Sequence, residues 1–334
     1  MKILILRFSS MGDILLATPV LDVLKKEFPD SQIDWVISKK YSDALNTNPL
    51  VNRLMVFKDR AGLKKIRKDI SRTHYDFIFD LHKNSKTRYL TRFKKNVFSY
   101  NKRVIERFLL VCFKRGYKEI IPATRMYFAA LEKAGIKTPA KWKLKFGIDK
   151  ETELETVRRF DLHNTNYIAL IPGASYYTKM WPKEYFRELV RKITLSKTVR
   201  RKIFILGKGS EEEMIGEYIS DENRSECEDL TGKLDLQQTA AVLKFADLVV
   251  TNDNGPMHLA ECFDKKILAI FGSTTEEFGF FPYSVNYQVL QTDHLKCRPC
   301  THFGRKKCPK KHFRCMMEIS PDNVYEKICG MLNA

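Results

Sequence analysis

What most limits the folds open to this chain is a rhythm that runs through it twice. Short runs rich in Ile, Leu, Val and Phe alternate with longer amphipathic stretches. In the first half the runs KILIL (2 to 6), QIDWVI (32 to 37), LMVF (54 to 57), FIFDL (77 to 81) and NVFSY (96 to 100) read as strands. LDVLKKEF (21 to 28) has helical spacing, and Thr18-Pro19 marks either a kink or a fresh start with threonine as cap and proline in the first position. Residues 101 to 145 read as helical, including RVIERFLLVCF and RMYFAALEKAG, the latter ending at Gly135. A polar stretch, 149 to 166, separates the halves. YIALIP (167 to 172), KIFILG (202 to 207), DLVVTN (247 to 252), KILAIFG (266 to 272) and YQVLQT (287 to 292) then repeat the pattern, with helical WPKEYFRELVRKI and LQQTAAVLKFA between them. Strands separated by helices need right-handed crossovers, so the expected fold class is α/β, with two Rossmann-like doubly wound domains around mostly parallel sheets. The expected boundaries are 1–160 and 161–320, with 321–334 a final helix packing back on the first domain; 334 residues suit two such cores. Ligands of such sheets lie outside the carboxyl ends of the strands, and two facing domains would enclose a cleft.

Charge is unevenly divided. Of the net +19, residues 1 to 165 carry 35 Lys+Arg against 18 Asp+Glu, whereas residues 166 to 334 carry 24 against 22. Residues 58 to 118 alone hold 19 basic and 5 acidic side chains, in runs such as KKIRK, KNSKTR and RFKK. A single lysine here is most simply a solvated one, but an excess this concentrated attracts a polyanion: nucleic acid, anionic lipid or a phosphorylated glycolipid. No apolar run approaches the ~20 residues of a membrane helix. Ile3 to Leu6 is followed at once by Arg7 and a polar turn, unlike a signal peptide, so a soluble cytoplasmic protein with eight reduced cysteines is expected.

The turns that follow strands hold the unusual residues. After the first strand comes FSSMGDILLATPVL, where a small-residue turn would ordinarily offer backbone N–H groups to an anion, yet Asp13 would repel one. Taken alone, Asp13 reads as a helix cap. In the second half, PGASYYTKMWP (172 to 182), GKGSEEE (207 to 213), TNDNGPMHLAE (251 to 261) and GSTTEEFG (272 to 279) all fall at one sheet edge. Small residues there admit a ligand to the backbone, Lys179 supplies a point charge for phosphate, and a helix opening near Gly255-Pro256 would aim its positive end at an anion. Individually Lys179 suits a solvated loop, His258 a satisfied helix-start histidine, Asp253 and Asn254 a turn, and Glu211 a first helical turn. Together at one edge they resemble a nucleoside diphosphate site. There is no GxxxxGK[ST] and no GxGxxG, which removes the main support for a P-loop NTPase or a dinucleotide dehydrogenase.

These residues are similar to those of glycosyltransferase family nine, the ADP-heptose lipopolysaccharide heptosyltransferases of GT-B fold. The resemblance spans nearly the whole chain through RFSSMGDILLATPVL, GASxxxKxWP at 173 to 182, DLTGKLDL at 229 to 236, TNDNGPMHLA at 251 to 260 and IFGST at 270 to 274. It implies inverting, metal-independent transfer of a heptose from ADP-heptose to the lipid A-linked inner core of lipopolysaccharide, with no required cofactor. Under it Asp13 matches the general base, with Ser9, Ser10, Met11 and Gly12 on the acceptor side. Lys179 takes a catalytic and diphosphate-binding role beside Ser175, Glu211 a ribose contact, and Asp253, Asn254, Gly255, Pro256, Met257 and His258 the donor-binding turn. Asp13 would then face, across the cleft, a phosphate site on the other domain. The implied acceptor is anionic and membrane-borne, so the basic first domain would dock on the inner face of the inner membrane by charge alone, with no inserted helix and no nucleic-acid partner.

One motif stands outside that scheme. CRPCTHFGRKKCPKKHFRC places Cys297, Cys300, Cys308 and Cys315 at C-x2-C-x7-C-x6-C spacing, with His302 and His312 between them. The pattern allows a structural zinc, disulfides or free thiols, although the second pair lacks a tight zinc-knuckle spacing. The competing functions are a nucleotide-sugar 2-epimerase of the same fold, which would convert donor alone, and a basic nucleic-acid-binding protein, against which the absence of a recognisable reader motif counts.

Overall fold

In a computed structural model the chain is described at every residue except Gly116, Lys118, Asn223, Arg224, Ser284 and Ala334. It divides into two compact units: Met1–Arg103 with Ile121–Gly147, and Val104–Ile120 with Ile148–Ala334.

The first unit holds β1 (Lys2–Leu6), β2 (Gln32–Ser38), β3 (Arg53–Phe57), β4 (Phe77–Asp80) and β5 (Val97–Ser99). They form one sheet in the order β3-β2-β1-β4-β5, with every pairing parallel. Its helices are α1 (Met11–Ala17), α2 (Pro19–Glu27), α3 (Arg60–Arg72) and α4 (Ser85–Thr91); past α5 (Val104–Phe113), which belongs to the second unit, comes α6 (Ala123–Glu132). A strand covered on both faces needs apolar side chains at successive positions, which is why β1 reads ILIL with all four buried. Thr18-Pro19 is a fresh helix start: Pro19 opens α2, while the Thr18 hydroxyl donates to Leu15 O at 2.7 Å and makes no side-chain cap. In α3, Leu63, Ile66 and Ile70 pack with Leu4, Val36 and Ile78, which turns Lys64, Lys65, Lys68 and Arg72 to solvent. Six of the 19 basic residues of 58 to 118 thus belong to one amphipathic helix.

The second unit contains β6 (Tyr167–Ile171), β7 (Lys202–Ile205), β8 (Cys227–Asp229), β9 (Leu248–Asn252), β10 (Ile267–Phe271) and β11 (Tyr287–Gln291), in the order β11-β10-β9-β6-β7-β8 and again parallel throughout. Its further helices are α7 (Lys150–Phe160), α8 (Lys183–Thr194), α9 (Ser210–Ser220), α10 (Leu236–Phe245), α11 (Gly255–Glu261), α12 (Arg314–Met317) and α13 (Pro321–Asn333).

Three boundary expectations need correction. The polar segment after residue 149 is largely a helix: Asp149 accepts from Thr152 N at 3.0 Å, Glu151 and Glu153 occupy the first turn, Arg158 and Arg159 the last, and Val157 and Phe160 are buried. The division therefore falls at 147 rather than 160. Residues 104 to 120 also join the second unit. The final helix is built into the second core instead of packing back on the first: Val324, Ile328 and Met331 lie in one cluster with Phe186, Leu189 and Ile193 of α8, and Lys192 pairs with Asp322 at 2.6 Å.

In each sheet the strand order reverses beside the first strand, between β1 and β4 in one unit and between β6 and β9 in the other. The crevice outside the carboxyl ends of that strand pair is where such sheets bind ligands.

Candidate active site

At the first reversal point, β1 ends at Leu6 and the chain turns through Arg7 to Ser10 into α1. Asp13 is the third residue of that helix. Its Oδ2 accepts from Ser10 Oγ at 2.8 Å and from Ser10 N at 3.3 Å, a capping box that fixes the side chain over the helix start. Its Oδ1 meets the Arg7 guanidinium at 2.6 Å and accepts from Tyr127 OH of α6 at 3.0 Å. Burial alone would raise the carboxyl pKa, but Arg7, Ser10 and Tyr127 together hold it below the ordinary carboxylate range, so Asp13 is an anion. Burial drives the Tyr127 hydroxyl well above its usual value, which keeps it protonated as a donor. Arg7 is itself fixed: Nη1 donates to Leu81 O at 2.6 Å, and Trp35 Nε1 donates to Arg7 O at 3.0 Å.

The Asp13 side chain keeps 21% of its surface exposed against 7% for Arg7, so the anion is oriented from behind and open on one side. Ser10 is exposed, Ser9 and Met11 are half-buried, and Gly12 is buried, so of the four expected acceptor residues Gly12 offers least to a ligand. From the turn after β4, His82 lies against Phe8 with ring centroids 4.8 Å apart. Burial, and then the charge of Arg7, lower its pKa to about 3, so the imidazole is neutral.

At the second reversal point the turns after β6 and β9 are tied together by two asparagines. Asn252, fully buried, donates from Nδ2 to Pro172 O at 2.6 Å and accepts from Trp181 N at 3.1 Å. Asn254 donates from Nδ2 to Gly173 O at 2.8 Å, while its Oδ1 caps α11 by accepting from Met257 N at 3.0 Å. Lys179 pairs with Asp253 at 2.7 Å, and the same Asp253 oxygen accepts from Thr274 Oγ1 at 2.6 Å, which brings in the turn after β10. Ser175 is exposed at the mouth of the first turn.

The remaining donor-side residues sort themselves by burial. The Met257 side chain is fully buried in the core. His258 is 3% exposed and pairs through Nδ1 with Glu261 at 2.9 Å, so its side chain holds α11 rather than facing solvent. Glu211 is exposed, whereas Glu212 lies against the glycines of two turns: a β-carbon added at Gly173, Gly207 or Gly209 would meet its side chain at 2.5, 2.9 or 2.7 Å. Reading the sequence did not single out Arg7, Tyr127, Asn252, Thr274 or Glu212.

The cysteine-rich segment braces this edge. Arg298 donates to Gly272 O at 2.6 Å, Thr292 O at 2.6 Å and Thr274 O at 3.0 Å, and Arg305 N donates to Thr178 Oγ1 at 2.8 Å. Cys297, Cys300, Cys308 and Cys315 line a cavity of about 10 Å³ with His312. All four are free thiols, and among the described residues no group of three or more His, Cys, Asp or Glu is disposed to hold a metal ion. Burial raises the Cys315 thiol to about 12, so the free group stays protonated at neutral pH.

Two doubly wound units built on parallel sheets are the architecture of the GT-B fold. The chain belongs to glycosyltransferase family 9 (heptosyltransferase), whose model matches residues 63–312. A lipooligosaccharide heptosyltransferase 2 of Campylobacter jejuni is 27% identical over 99% of this chain and 98% of its own. A family 9 glycosyltransferase structure from Veillonella parvula is 25% identical and superposes with a TM-score of 0.72 over 87% of this chain and 86% of its own. The E. coli ADP-heptose LPS heptosyltransferase II, 19% identical, shares the fold over 100% of this chain and 99% of its own, with a TM-score of 0.74.

Proposed function

We propose that this protein is an inverting transferase that moves a heptose from ADP-heptose to the lipid A-linked inner core of lipopolysaccharide, with Asp13 as general base. The observation that carries the mechanism is the setting of Asp13: an anion locked by four contacts, with one face exposed. As the acceptor hydroxyl oxygen forms its bond to the anomeric carbon, the bond from that carbon to the diphosphate oxygen breaks. Its electron pair leaves with ADP, and the hydroxyl proton passes to Asp13. Single displacement inverts the anomeric centre.

On the second unit, Lys179 and the Ser175 hydroxyl are proposed to hold the diphosphate, supplying charge stabilisation of the leaving group without a required metal ion. Asp253 and Thr274 set the position of the lysine amine. For the ribose contact, Glu212 replaces Glu211, because Glu212 faces the glycine turns. Asn254 and the fixed backbone of 255–258 complete the donor turn. The lipid-linked acceptor is reached, on this proposal, by peripheral association at the inner face of the inner membrane, where the basic residues of 58 to 118 meet its anionic surface; no helix among the described residues is long and apolar enough to cross a membrane. Thermal shift against a panel of nucleotides tests the donor assignment. ADP at 100 times its Kd should stabilise the fold by ~2.7 kcal/mol. Selective stabilisation by UDP or GDP instead would overturn the adenine assignment.

A further inference from the structure

The helix α5 wears its apolar side outward. In VIERFLLVCF only Leu110 is buried, while Val104, Ile105, Phe108 and Phe113 are 66%, 73%, 57% and 63% exposed. Val104, Ile105, Phe108 and the exposed Cys112 fall on one stripe at helical spacing, and the Phe108 and Phe113 rings meet edge to face at 6.0 Å. A globular helix ordinarily turns such a stripe inward.

The helix is fastened to the cysteine-rich segment of the same unit. Lys114 Nζ donates to Pro299 O at 2.5 Å, and the charge of Arg107, after burial, helps hold the His302 imidazole below its ordinary pKa. That segment adds Phe303, 62% exposed, and then the run RKKCPKK from 305 to 311, whose arginine and four lysines are all exposed. An apolar stripe bordered by cations, with few acids, is the make-up of a helix that lies in a membrane interface. A second copy of the chain would set the same cations against one another, whereas an anionic bilayer complements both the charge and the apolar stripe.

We propose that α5 and Phe303 insert into the interfacial layer of an anionic phospholipid bilayer, with the 305–311 run on its phosphates. This goes beyond docking by charge alone and moves the contact to the second unit. The test is flotation of the full-length protein with vesicles of phosphatidylethanolamine and phosphatidylglycerol, without nucleotide or acceptor, so the outcome is independent of whether heptose transfer is correct. The wild type should bind, and Ile105→Glu/Phe108→Glu should lower the partition coefficient at least about tenfold while keeping the wild-type melting temperature. A Phe108→Trp variant should gain fluorescence that lipids brominated on their acyl chains quench. Failure of the wild type to bind, or undiminished binding by the double variant with no quenching of the new indole in Phe108→Trp, would overturn the proposal. So would a wild-type dimer, seen by light scattering, that the double substitution dissociates, since it would make the occupant of the stripe a second copy.

Discussion

Replacing Asp13 with Asn separates the two jobs of this side chain. The carboxylate accepts from four donors: Arg7 and Tyr127 on Oδ1, and Ser10 N and Oγ on Oδ2. The amide keeps the shape but retains one acceptor oxygen, so its NH2 must face either the Arg7 and Tyr127 donors or the two Ser10 donors, and the buried guanidinium of Arg7, still bonded to Leu81 O, loses its counter-charge. Removing one partner of a buried ion pair costs ~3–5 kcal/mol, and the partial exposure of Asp13 brings that toward about 2–3 kcal/mol. At ~2–4 °C per kcal/mol for a unit of this size, the melting transition should fall by about 4–12 °C.

Loss of the base should lower kcat by ~10²- to 10⁴-fold, equivalent to ~2.7–5.4 kcal/mol of barrier. Calorimetry gives the first number, and steady-state transfer well below both transitions gives the second. ADP affinity should not change, because no donor-side residue is touched. A folded Asn variant with undiminished kcat would show that Asp13 is only a helix cap.

Lys179→Ala should weaken ADP binding by ~10- to 100-fold, the worth of one charge-assisted contact, as read by titration calorimetry. Because Asp13 has a lowered pKa, it stays a competent base as pH falls until the medium passes that lowered value, and the stability its ion pair contributes is lost over the same descent. Arg7→Met removes the cation that offsets burial, so the acid limb of the kcat/KM profile should move to higher pH; an unmoved limb would mean that another group limits it. Asn252→Leu strands Pro172 O and Trp181 N in the core, and should cost ~2–4 kcal/mol by denaturant unfolding with the same nucleotide preference.

The central strands were legible because a doubly covered strand is apolar over successive positions, as in Ile3–Leu6 of β1, Tyr167–Ile171 of β6, Leu248–Val250 of β9 and Ile267–Phe271 of β10. Helix α7 was not, since a polar helix that buries one narrow stripe composes like a linker, and β8, three residues long and reading CED, gives no pattern at all. At the site, Asp13 and Lys179 stood out by position after strands. Tyr127 did not, because 114 residues separate it from Asp13 and only the packing of α6 unites them. Which of three consecutive glutamates turns toward the glycines depends on the phase of α9, set by the backbone at Gly209 and invisible to composition. Asn252 left a faint signal, a polar residue closing an otherwise apolar strand, where buried amides are kept for their hydrogen bonds.

Incubating the purified protein with ADP-heptose and a lipid A-linked inner-core acceptor, in EDTA, and following ADP and the acceptor mass addresses the transfer itself. One heptose gained per ADP released, with inverted anomeric configuration and no conversion of the donor when the acceptor is left out, is the predicted result. Isomerisation of the donor in the absence of acceptor, or an acceptor unchanged in mass while ADP-heptose is bound, would contradict it.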